Sequence, residues 1–340
     1  MAILFEIDPD IKKAKTLSSE FYTDEQYFEL SKESVFARAW HFLGHKDEFS
    51  GLRPATILPG FLDEPVLLVK KDETVSCLSN VCTHRGKILV EEPYEAKLIR
   101  CGYHGRRFSL DGKFLSMPEF EGVENLPCES DDLEQLALAE KDGFIFASID
   151  PVEHFDAFVD DAFSSFDNFE TAGIKLTSKR EYEVNANWAL YCENYLEGFH
   201  IPYVHQALNA VVDYGTYTTD TFRYSSLQTG FDEAGDVVAR YLFIFPNLML
   251  NYYPWGVSVN VVRPVSLSKT VVEFYTYVRD ESLLDKGAGA GLHGVEMEDE
   301  AVVESVQKGI RSRFYSHGRY SPTRETGTHH FHRLIAEFLG

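Results

Sequence analysis

Two short stretches of the sequence, Cys82-Thr-His-Arg-Gly86 and Cys101-Gly-Tyr-His-Gly105, decide what the first part of this chain folds around. Each stretch offers one thiolate and one imidazole, and sixteen residues separate His84 from Cys101. A glycine follows each histidine, and glycine permits the tight turns that bring backbone N–H groups close to a bound group. The spacing therefore predicts two similar loops that close on one metal centre.

Interleaved Cys and His ligands are typical of a [2Fe–2S] cluster in which two histidines replace two cysteines on one iron. Such a cluster has a higher reduction potential than an all-cysteine cluster. The sequence therefore predicts a one-electron relay with the ligands Cys82, His84, Cys101 and His104. A closed structural zinc site is the alternative, since four nitrogen and sulfur ligands also suit Zn²⁺. Each pair here combines one cysteine with one histidine, whereas zinc sites usually pair cysteine with cysteine and histidine with histidine. This difference favours the iron–sulfur cluster.

The 340-residue chain has 32 basic and 54 acidic side chains, a formal net charge of −22. That charge argues against binding to nucleic acid or to an anionic membrane. It would serve either solubility or the docking of a basic electron-transfer partner. Acidic residues close to the start argue against a secretory signal, and no apolar run approaches the roughly 20 residues that span a bilayer. We therefore expect a cytoplasmic protein, in which Cys77, Cys128 and Cys192 are buried free thiols.

Within the first half of the chain, the sequence pattern changes from one typical of helices to one typical of strands. Residues 10–48 look helical, because residues 25–39 carry a broad apolar face. Residues 54–149 contain short β-like runs separated by Gly and Pro, with a hairpin signal at Asp111-Gly112. Both metal-binding pairs are therefore expected on turns of a small β domain, and residues 151–171 indicate a linker and an acidic helix.

A second domain is expected from about Lys175. Its sequence mixes helical and β-like patterns, which indicates an α+β domain with helices packed on an antiparallel sheet. The predicted elements are a helix at 188–199, strands at 241–262 and 270–278, and helices at 297–311 and 329–339.

A second metal motif lies in this domain, in the stretch from Asn187 to His205. Glu193, Glu197 and His200 fall at i, i+4 and i+7, which predicts that they share one helix face. Pro202 is expected to end that helix and to let His205 turn back towards His200. Two neighbouring histidines and one carboxylate would form the facial triad of a non-haem iron site, with positions open for O₂. From these residues alone, a core or capping role for the two histidines is an equal alternative.

Together these motifs resemble those of Rieske non-haem iron oxygenase α subunits. Cys-x-His…Cys-x-x-His, Glu-Asn-x-x-Glu-x-x-His-x-x-x-x-His and a late acidic helix appear here in the family's order. The resemblance implies an α+β protein with an all-β Rieske domain at 41–150 and a helix-grip, START-like catalytic domain at 151–340. It also implies that the helical segment at 1–40 packs on the catalytic domain.

The same resemblance assigns roles to individual residues. It implies that His200, His205 and Asp299 bind a mononuclear Fe(II), with Glu296 and Glu298 as alternatives to Asp299. It places Asn194 and Glu197 among the catalytic residues. Glu197 would link the iron ligand His200 to the cluster ligand His104 of a neighbouring protomer.

The family's activity is the oxidation of a small organic molecule by O₂. A separate flavin and iron–sulfur reductase, with or without a ferredoxin, would supply electrons from NAD(P)H, and the oxygenase would be a homotrimer. The resemblance is nearest to the branch that oxidises choline, betaine or carnitine, and aromatic residues of the second domain are candidates for a cation-binding cage. Aromatic ring hydroxylation, or electron transfer without oxygenase activity, are the alternatives.

Two further features are expected to be structural. His329, His330 and His332 are predicted to lie in a packed terminal helix and not to bind metal. The Gly-rich stretch at 286–291 is predicted to be a flexible surface connection.

Overall fold

The computed structural model describes residues 5–165, 173–284 and 286–340. The chain divides into two compact units. One comprises Trp40–Pro151, and the other joins Met1–Ala39 to Val152–Gly340. Part of the predicted linker, residues 166–171, lies outside the described residues.

The N-terminal segment is helical over a shorter range than the sequence suggested. Helices α1 (Ser19–Thr23) and α2 (Glu25–Ser31) run into a π-helical turn at Lys32–Phe36. The prediction that residues 10–48 are helical is wrong at its end, because His41–His45 forms the first strand, β1. All five of these residues are buried, and strand pairing outweighs their local helical pattern.

The unit Trp40–Pro151 is built of three three-stranded antiparallel sheets, ordered β1-β9-β8, β2-β3-β4 and β5-β6-β7. This confirms the predicted small β domain. Beyond β1, the strands are β2 (Gly51–Ile57), β3 (Glu64–Lys71), β4 (Thr74–Ser79), β5 (Ile99–Arg100), β6 (Arg107–Phe108), β7 (Phe114–Ser116), β8 (Ala137–Lys141) and β9 (Phe144–Ser148).

The two metal-binding loops grow out of this small β framework. Cys82 and Cys101 are buried in the same apolar cluster as Leu67 and Phe108. The predicted hairpin at Asp111-Gly112 connects β6 to β7. The cysteines are thereby anchored in a packed core, which holds each loop at its base.

The second unit contains a seven-stranded antiparallel sheet with helices, as expected for a helix-grip catalytic domain. The strand order is β10-β16-β15-β14-β13-β12-β11. The strands are β10 (Lys175–Val184), β11 (Thr218–Thr221), β12 (Ser225–Phe231), β13 (Val237–Ile244), β14 (Leu248–Tyr253), β15 (Gly256–Ser266) and β16 (Lys269–Val278). The helices are α3 (Asp156–Ser164), α4 (Trp188–Tyr195), α5 (Ile201–Val204), α6 (Gln206–Asn209), α7 (Leu292–Gly309) and α8 (Thr326–Leu339).

Burial differs between the strands in a way that follows their sequences. The first seven residues of the central strand β15 are all buried, so both of its faces are covered. The edge strand β10 is mostly exposed and rich in charged residues, which discourages pairing with another chain. Phe36 and Phe331 both pack against Trp188 at the start of α4, with ring centroids 4.8 and 5.8 Å away. These contacts fix the N-terminal segment and α8 around the helix that leads into the second metal motif.

Within the described parts of the chain, no helix is both long and apolar enough to cross a membrane.

Candidate metal sites and substrate cavity

The two cluster-binding loops have the same backbone geometry. In each loop the cysteine N–H donates to the carbonyl five residues later, Lys87 at 2.9 Å and Arg106 at 2.8 Å. In each, the glycine N–H donates back to the cysteine carbonyl, and Gly86 and Gly105 adopt φ values of 69° and 75°. L-residues with side chains avoid that region, so these two turns require glycine.

The side chains of the loops converge as a Rieske cluster requires. Cys82 and Cys101 are each 2% exposed, and the rings of His84 and His104 lie 4.9 Å apart between centroids. The Nδ1 atom of His104 is buried and has no hydrogen-bond partner among the described residues. A buried ring nitrogen without a partner is costly, and a metal bond would satisfy it. The donor set therefore fits a [2Fe–2S] cluster.

The remaining cysteines only partly follow the prediction. Cys77 and Cys192 are buried free thiols, as expected, and burial raises the pKa of Cys77 to about 12. Cys128 is exposed, so its predicted burial is wrong. Its Sγ atom lies in a polar turn, 3.1 Å from the hydroxyl of Ser130. The proline that precedes it and the acidic residues that follow were the local signal for a surface turn.

Three side chains of the second unit converge on one point. The Nε2 atoms of His200 and His205 lie 3.2 Å apart, and Oδ1 of Asp299 lies 3.5 and 3.0 Å from them, respectively. Among the described residues, these three form the one group whose ligand atoms all lie within 4.8 Å of one another. Two imidazoles and one carboxylate are the donors of a facial triad, so they fit a mononuclear non-haem iron.

In each histidine of this group, the Nδ1 atom, on the side of the ring away from Asp299, is hydrogen-bonded to a carboxylate. Nδ1 of His200 lies 2.8 Å from Oε1 of Glu197, and Nδ1 of His205 lies 2.7 Å from Oε2 of Glu298. Hydrogen bonding at Nδ1 leaves Nε2 of each ring free for a metal. Burial alone would lower the pKa of His205, but hydrogen bonds from its ring to Asp299 and Glu298 raise it.

The backbone between the two histidines differs from the prediction. Helix α4 ends at Tyr195, so Glu197 and His200 do not continue its face. Pro202 does not end that helix, because it lies in the first turn of the short helix α5. Glu197 instead accepts the backbone N–H groups of Phe199 and His200 through Oε2, the latter at 3.1 Å. The carboxylate therefore orients the histidine ring and also satisfies the free N–H groups ahead of α5.

Two contacts position the elements that carry these ligands. The N–H of Asn187, which caps α4, donates to Oε1 of Gln307 on α7 at 2.7 Å. At the other end of α4, Gly327 of α8 lies so close to Leu196 that a Cβ atom there would be 2.4 Å from its carbonyl oxygen. The helix that leads to His200 is thus tied both to the helix that carries Asp299 and to α8.

The three acidic candidates for the third ligand occupy different places. Asp299 faces both histidines, Glu298 binds the outer nitrogen of His205, and Glu296 is turned away towards Tyr191. The hydroxyl of Tyr191 donates to Oε2 of Glu296 at 2.7 Å. The sequence analysis did not predict the orienting role of Glu298. A signal was present, because Glu298 directly precedes the predicted ligand Asp299 and metal-binding histidines usually have a second hydrogen-bond partner.

A cavity of about 120 Å³ opens beside the histidines. Among the predicted site residues, Asn194, Glu197, His200, His205 and Asp299 line it. Six aromatic side chains also line it: Tyr191, Tyr195, Tyr217, Tyr241, Tyr253 and Phe274. The wall comes largely from the sheet and from α4 and α7, so the cavity lies between the sheet and the elements that carry His200, His205 and Asp299.

Glu296 is the buried carboxyl group of this cavity. Its side chain belongs to a residue that is only 5% exposed, and its Oε1 atom has no hydrogen-bond partner among the described residues. Burial raises the pKa of Glu296 to about 8; the hydrogen bond from Tyr191 opposes this shift, and the charges of Asp299 and Glu300 add to it.

The two features predicted to be structural have different outcomes. His329, His330 and His332 lie in α8, as predicted, and His332 is fully buried against Tyr320, whose hydroxyl lies 2.6 Å from its Nδ1. The Gly-rich stretch is a surface connection only in part: Lys286, Gly287 and Gly291 are exposed, whereas Ala288 and Gly289 are buried and Ala288 lines the cavity.

Fold and sites together define a two-domain oxygenase subunit with a Rieske domain and a catalytic domain. Residues 39–127 match the model of the Rieske [2Fe-2S] domain, and residues 173–340 match that of the ring hydroxylating alpha subunit, catalytic domain. The chain belongs to the family of Rieske-type ring-hydroxylating oxygenase α subunits, and it is an O₂-dependent oxidoreductase.

Named relatives cover almost the whole chain. The chain is 31% identical to the chloroplastic choline monooxygenase of Arabidopsis thaliana over 98% of its length and 85% of the relative's. It is 30% identical to the carnitine monooxygenase oxygenase subunit of Escherichia coli K12 over 96% of its length and 94% of the relative's. The quaternary ammonium Rieske monooxygenase CntA in complex with L-carnitine superposes with a TM-score of 0.79 at 26% identity, covering 98% of this chain and 97% of that one. Naphthalene 1,2-dioxygenase shares the fold at a TM-score of 0.76 and 19% identity, over 100% of this chain and 94% of that chain.

Proposed function

We propose that this protein is the oxygenase component of a Rieske monooxygenase that oxidises a quaternary amine. The observation that carries the proposal is the cavity beside His200 and His205, whose wall combines aromatic rings with carboxylates. Aromatic faces attract quaternary ammonium groups, and carboxylates balance their charge. Relatives that are named choline and carnitine monooxygenases support this substrate class.

Two groups of residues are assigned to metals in this proposal. Cys82, His84, Cys101 and His104 hold the [2Fe–2S] cluster, and a second set, His200, His205 and Asp299, holds a single iron. When bound, the cluster supplies electrons one at a time, and the iron supplies a site at which O₂ is activated.

The residues around the single iron site have three roles: they bind the substrate, orient the iron ligands and connect the two metal sites. Glu197 and Glu298 hold the two histidine rings, while the aromatic wall receives the ammonium group of the substrate. Glu197 also serves as the link from His200 to His104 of the partner subunit, so electron transfer takes place between protomers of a homotrimer. A solved relative, a quaternary ammonium Rieske monooxygenase described as giving insight into inter-subunit electron transfer, supports this arrangement. Asn194, which lines the cavity, belongs to the catalytic residues in this scheme.

Electrons come from NAD(P)H through a separate flavin and iron–sulfur reductase, with or without a ferredoxin. Hydroxylation of a carbon bound to the quaternary nitrogen consumes one O₂, two electrons and two protons and yields water. The resulting carbinolamine collapses to an aldehyde and a shorter amine, and releases a proton.

A substrate panel tests the function directly. The purified protein is supplied with a generic reductase and with quaternary amines or aromatic compounds, and aldehyde release is scored against ring-hydroxylated product. Aldehyde from a quaternary amine is expected, whereas ring hydroxylation alone would reject the substrate class.

Iron content tests the metal assignments. The proposal requires about three iron atoms per chain, two in the cluster and one in the triad. The variant His200→Ala should lose the single iron and keep the visible spectrum of the cluster. Unchanged iron content in that variant would show that His200 is not a ligand, and a colourless zinc protein would reject both assignments.

A further inference from the structure

Glu296 differs from the other carboxylates of the cavity because one of its oxygens has no hydrogen-bond partner among the described residues. Glu197 binds the Nδ1 atom of His200 and Asp299 faces both histidines, so these two groups serve the metal site. One oxygen of Glu296 accepts a hydrogen bond from Tyr191, and the other is buried without a partner among the described residues.

A buried carboxyl group with a free oxygen is unfavourable unless something pairs with it. The protein does not supply that partner from the cavity wall, because no Lys or Arg is among the described lining residues. A cationic ligand could supply it, since an ammonium group beside the carboxylate would compensate the charge in a partly dry space. The burial of Glu296 thus favours a positively charged occupant of the cavity.

The same wall disfavours a negatively charged occupant. Above pH 8, where Glu296 is ionised, a substrate carboxylate would share the cavity with the charges of Glu197 and Glu296 and would find no Lys or Arg among the described lining residues. Like charges in such a space are costly, and an unpaired buried carboxylate is costlier still. Polar neutral groups have partners, because Gln228, Asn251, Ser258 and Asn260 also line the cavity.

We propose that Glu296 binds the ammonium group of the substrate and selects quaternary amines that carry no carboxylate, such as amino alcohols of the choline type. This inference rests on the proposed function and makes it more specific. It separates choline-like substrates from carnitine and betaine, which are zwitterions.

Binding to the iron-loaded holoenzyme tests the inference without relying on turnover. Calorimetry at a pH above the pKa of Glu296, where its carboxylate is ionised, compares choline, its uncharged isostere 3,3-dimethylbutan-1-ol, and the carboxylate-bearing betaine and carnitine. Choline is expected to bind at least about tenfold more tightly than each of the others, because it alone carries a positive charge and no carboxylate.

Two variants locate the effect. Glu296→Gln keeps the acceptor for Tyr191 but removes the charge, so it should weaken choline binding by at least about tenfold and leave the neutral isostere unchanged. Glu233→Gln is the control, since Glu233 is exposed in the turn between β12 and β13 and is not among the described lining residues, and it should bind choline as the wild type does. The visible spectrum and iron content of each variant confirm that the protein is folded and loaded.

The possible failures are distinguishable. Equal choline affinity in the wild type and Glu296→Gln, or carnitine binding as tight as that of choline, would overturn the role of Glu296 while leaving oxidation of quaternary amines intact. Ring hydroxylation without any turnover of quaternary amines would instead reject the proposed function.

Discussion

The Nδ1 atom of His205 lies 2.7 Å from the Oε2 atom of Glu298. This contact fixes the ring so that its Nε2 atom points at Asp299, 3.0 Å away. Glu298 is half exposed, so water can compete for the contact, yet the hydrogen bond still restricts the rotation of a ring that is itself buried. The neighbouring acids Glu298 and Asp299 thus hold the two nitrogens of one histidine.

Loss of the Glu298 carboxylate should weaken iron binding without abolishing it. We expect Glu298→Ala to lower the affinity for the single iron by about 10- to 100-fold, because His205 is no longer held in one orientation. The measurement is the loss of iron to a chelator, followed by metal analysis. Glu300→Gln, two residues further along α7, is the control. Retention of the iron to the same degree in both variants would show that Glu298 has no orienting role.

Removal of the Glu197 carboxylate should separate the two metal sites functionally. We expect Glu197→Ala to keep the visible spectrum of the cluster, because Glu197 belongs to the other compact unit. Turnover coupled to substrate should be abolished, since the link from His200 to the cluster is lost. Stopped-flow reduction followed by product analysis measures both properties. Normal turnover in this variant would refute the linking role.

The affinity for a choline-type cation should rise with pH up to about 8. Burial raises the pKa of Glu296 to about 8, so at lower pH the carboxyl is protonated in the free protein and must lose its proton when a cation binds. Affinity should therefore fall about tenfold for each pH unit below 8, with a proton released on binding. Calorimetry in buffers of different ionisation enthalpy measures that proton.

The groups that face Glu296 are Tyr191 on α4 and Asp299 and Glu300 on α7. Burial raises the pKa of Tyr191 well above 10, so this hydroxyl stays protonated throughout the range. Glu296→Gln should flatten the pH profile, whereas Glu300→Gln should keep its slope with a lower midpoint, because the charge of Glu300 adds to the raised pKa of Glu296. A profile with the same slope in Glu296→Gln would assign the titration to another group.

A methyl group at Gly327 should disturb the second metal site from a distance. The new Cβ atom would lie 2.4 Å from the carbonyl oxygen of Leu196, so α8 or the end of α4 must shift. We expect Gly327→Ala to destabilise the protein by about 1–3 kcal/mol and to weaken iron binding, because Leu196 directly precedes Glu197. Thermal unfolding and metal analysis measure these effects. Gly309→Ala is the control, since a Cβ atom there meets nothing within 4 Å, and equal effects in both variants would contradict the prediction.

The sequence was sufficient for the features that depend on ligand type and spacing. The loops around Cys82 and Cys101 repeat one local pattern, so their shared geometry could be predicted from residues close in sequence. The grouping of His200, His205 and Asp299 came from the family resemblance, and the structure places these three side chains together. An antiparallel sheet with packed helices was also predicted, but strands were placed only at 241–262 and 270–278, and β10, β11 and β12 were not predicted.

Features that depend on long-range contacts were not predictable in this way. The early end of α4 reflects the approach of α8 at Gly327 and the use of Glu197 as a backbone acceptor, neither of which is visible in the periodicity near Pro202. The burial of Gly289 depends on Trp255, because a Cβ atom at Gly289 would lie 2.2 Å from the Nε1 atom of Trp255. The free oxygen of Glu296 likewise emerges only when α7 is packed against α4.

The division of the catalytic unit between ligand-bearing elements and a cavity-lining sheet has an evolutionary consequence. Exchanges at sheet positions such as Tyr241, Asn251 or Phe274 would reshape the substrate space while the histidine-bearing segment stayed unaltered. Such a scaffold lets selection change what is oxidised without rebuilding how oxidation is done. New substrates are therefore accessible by single substitutions in strands, whereas a change at α7 puts both recognition and the metal at risk.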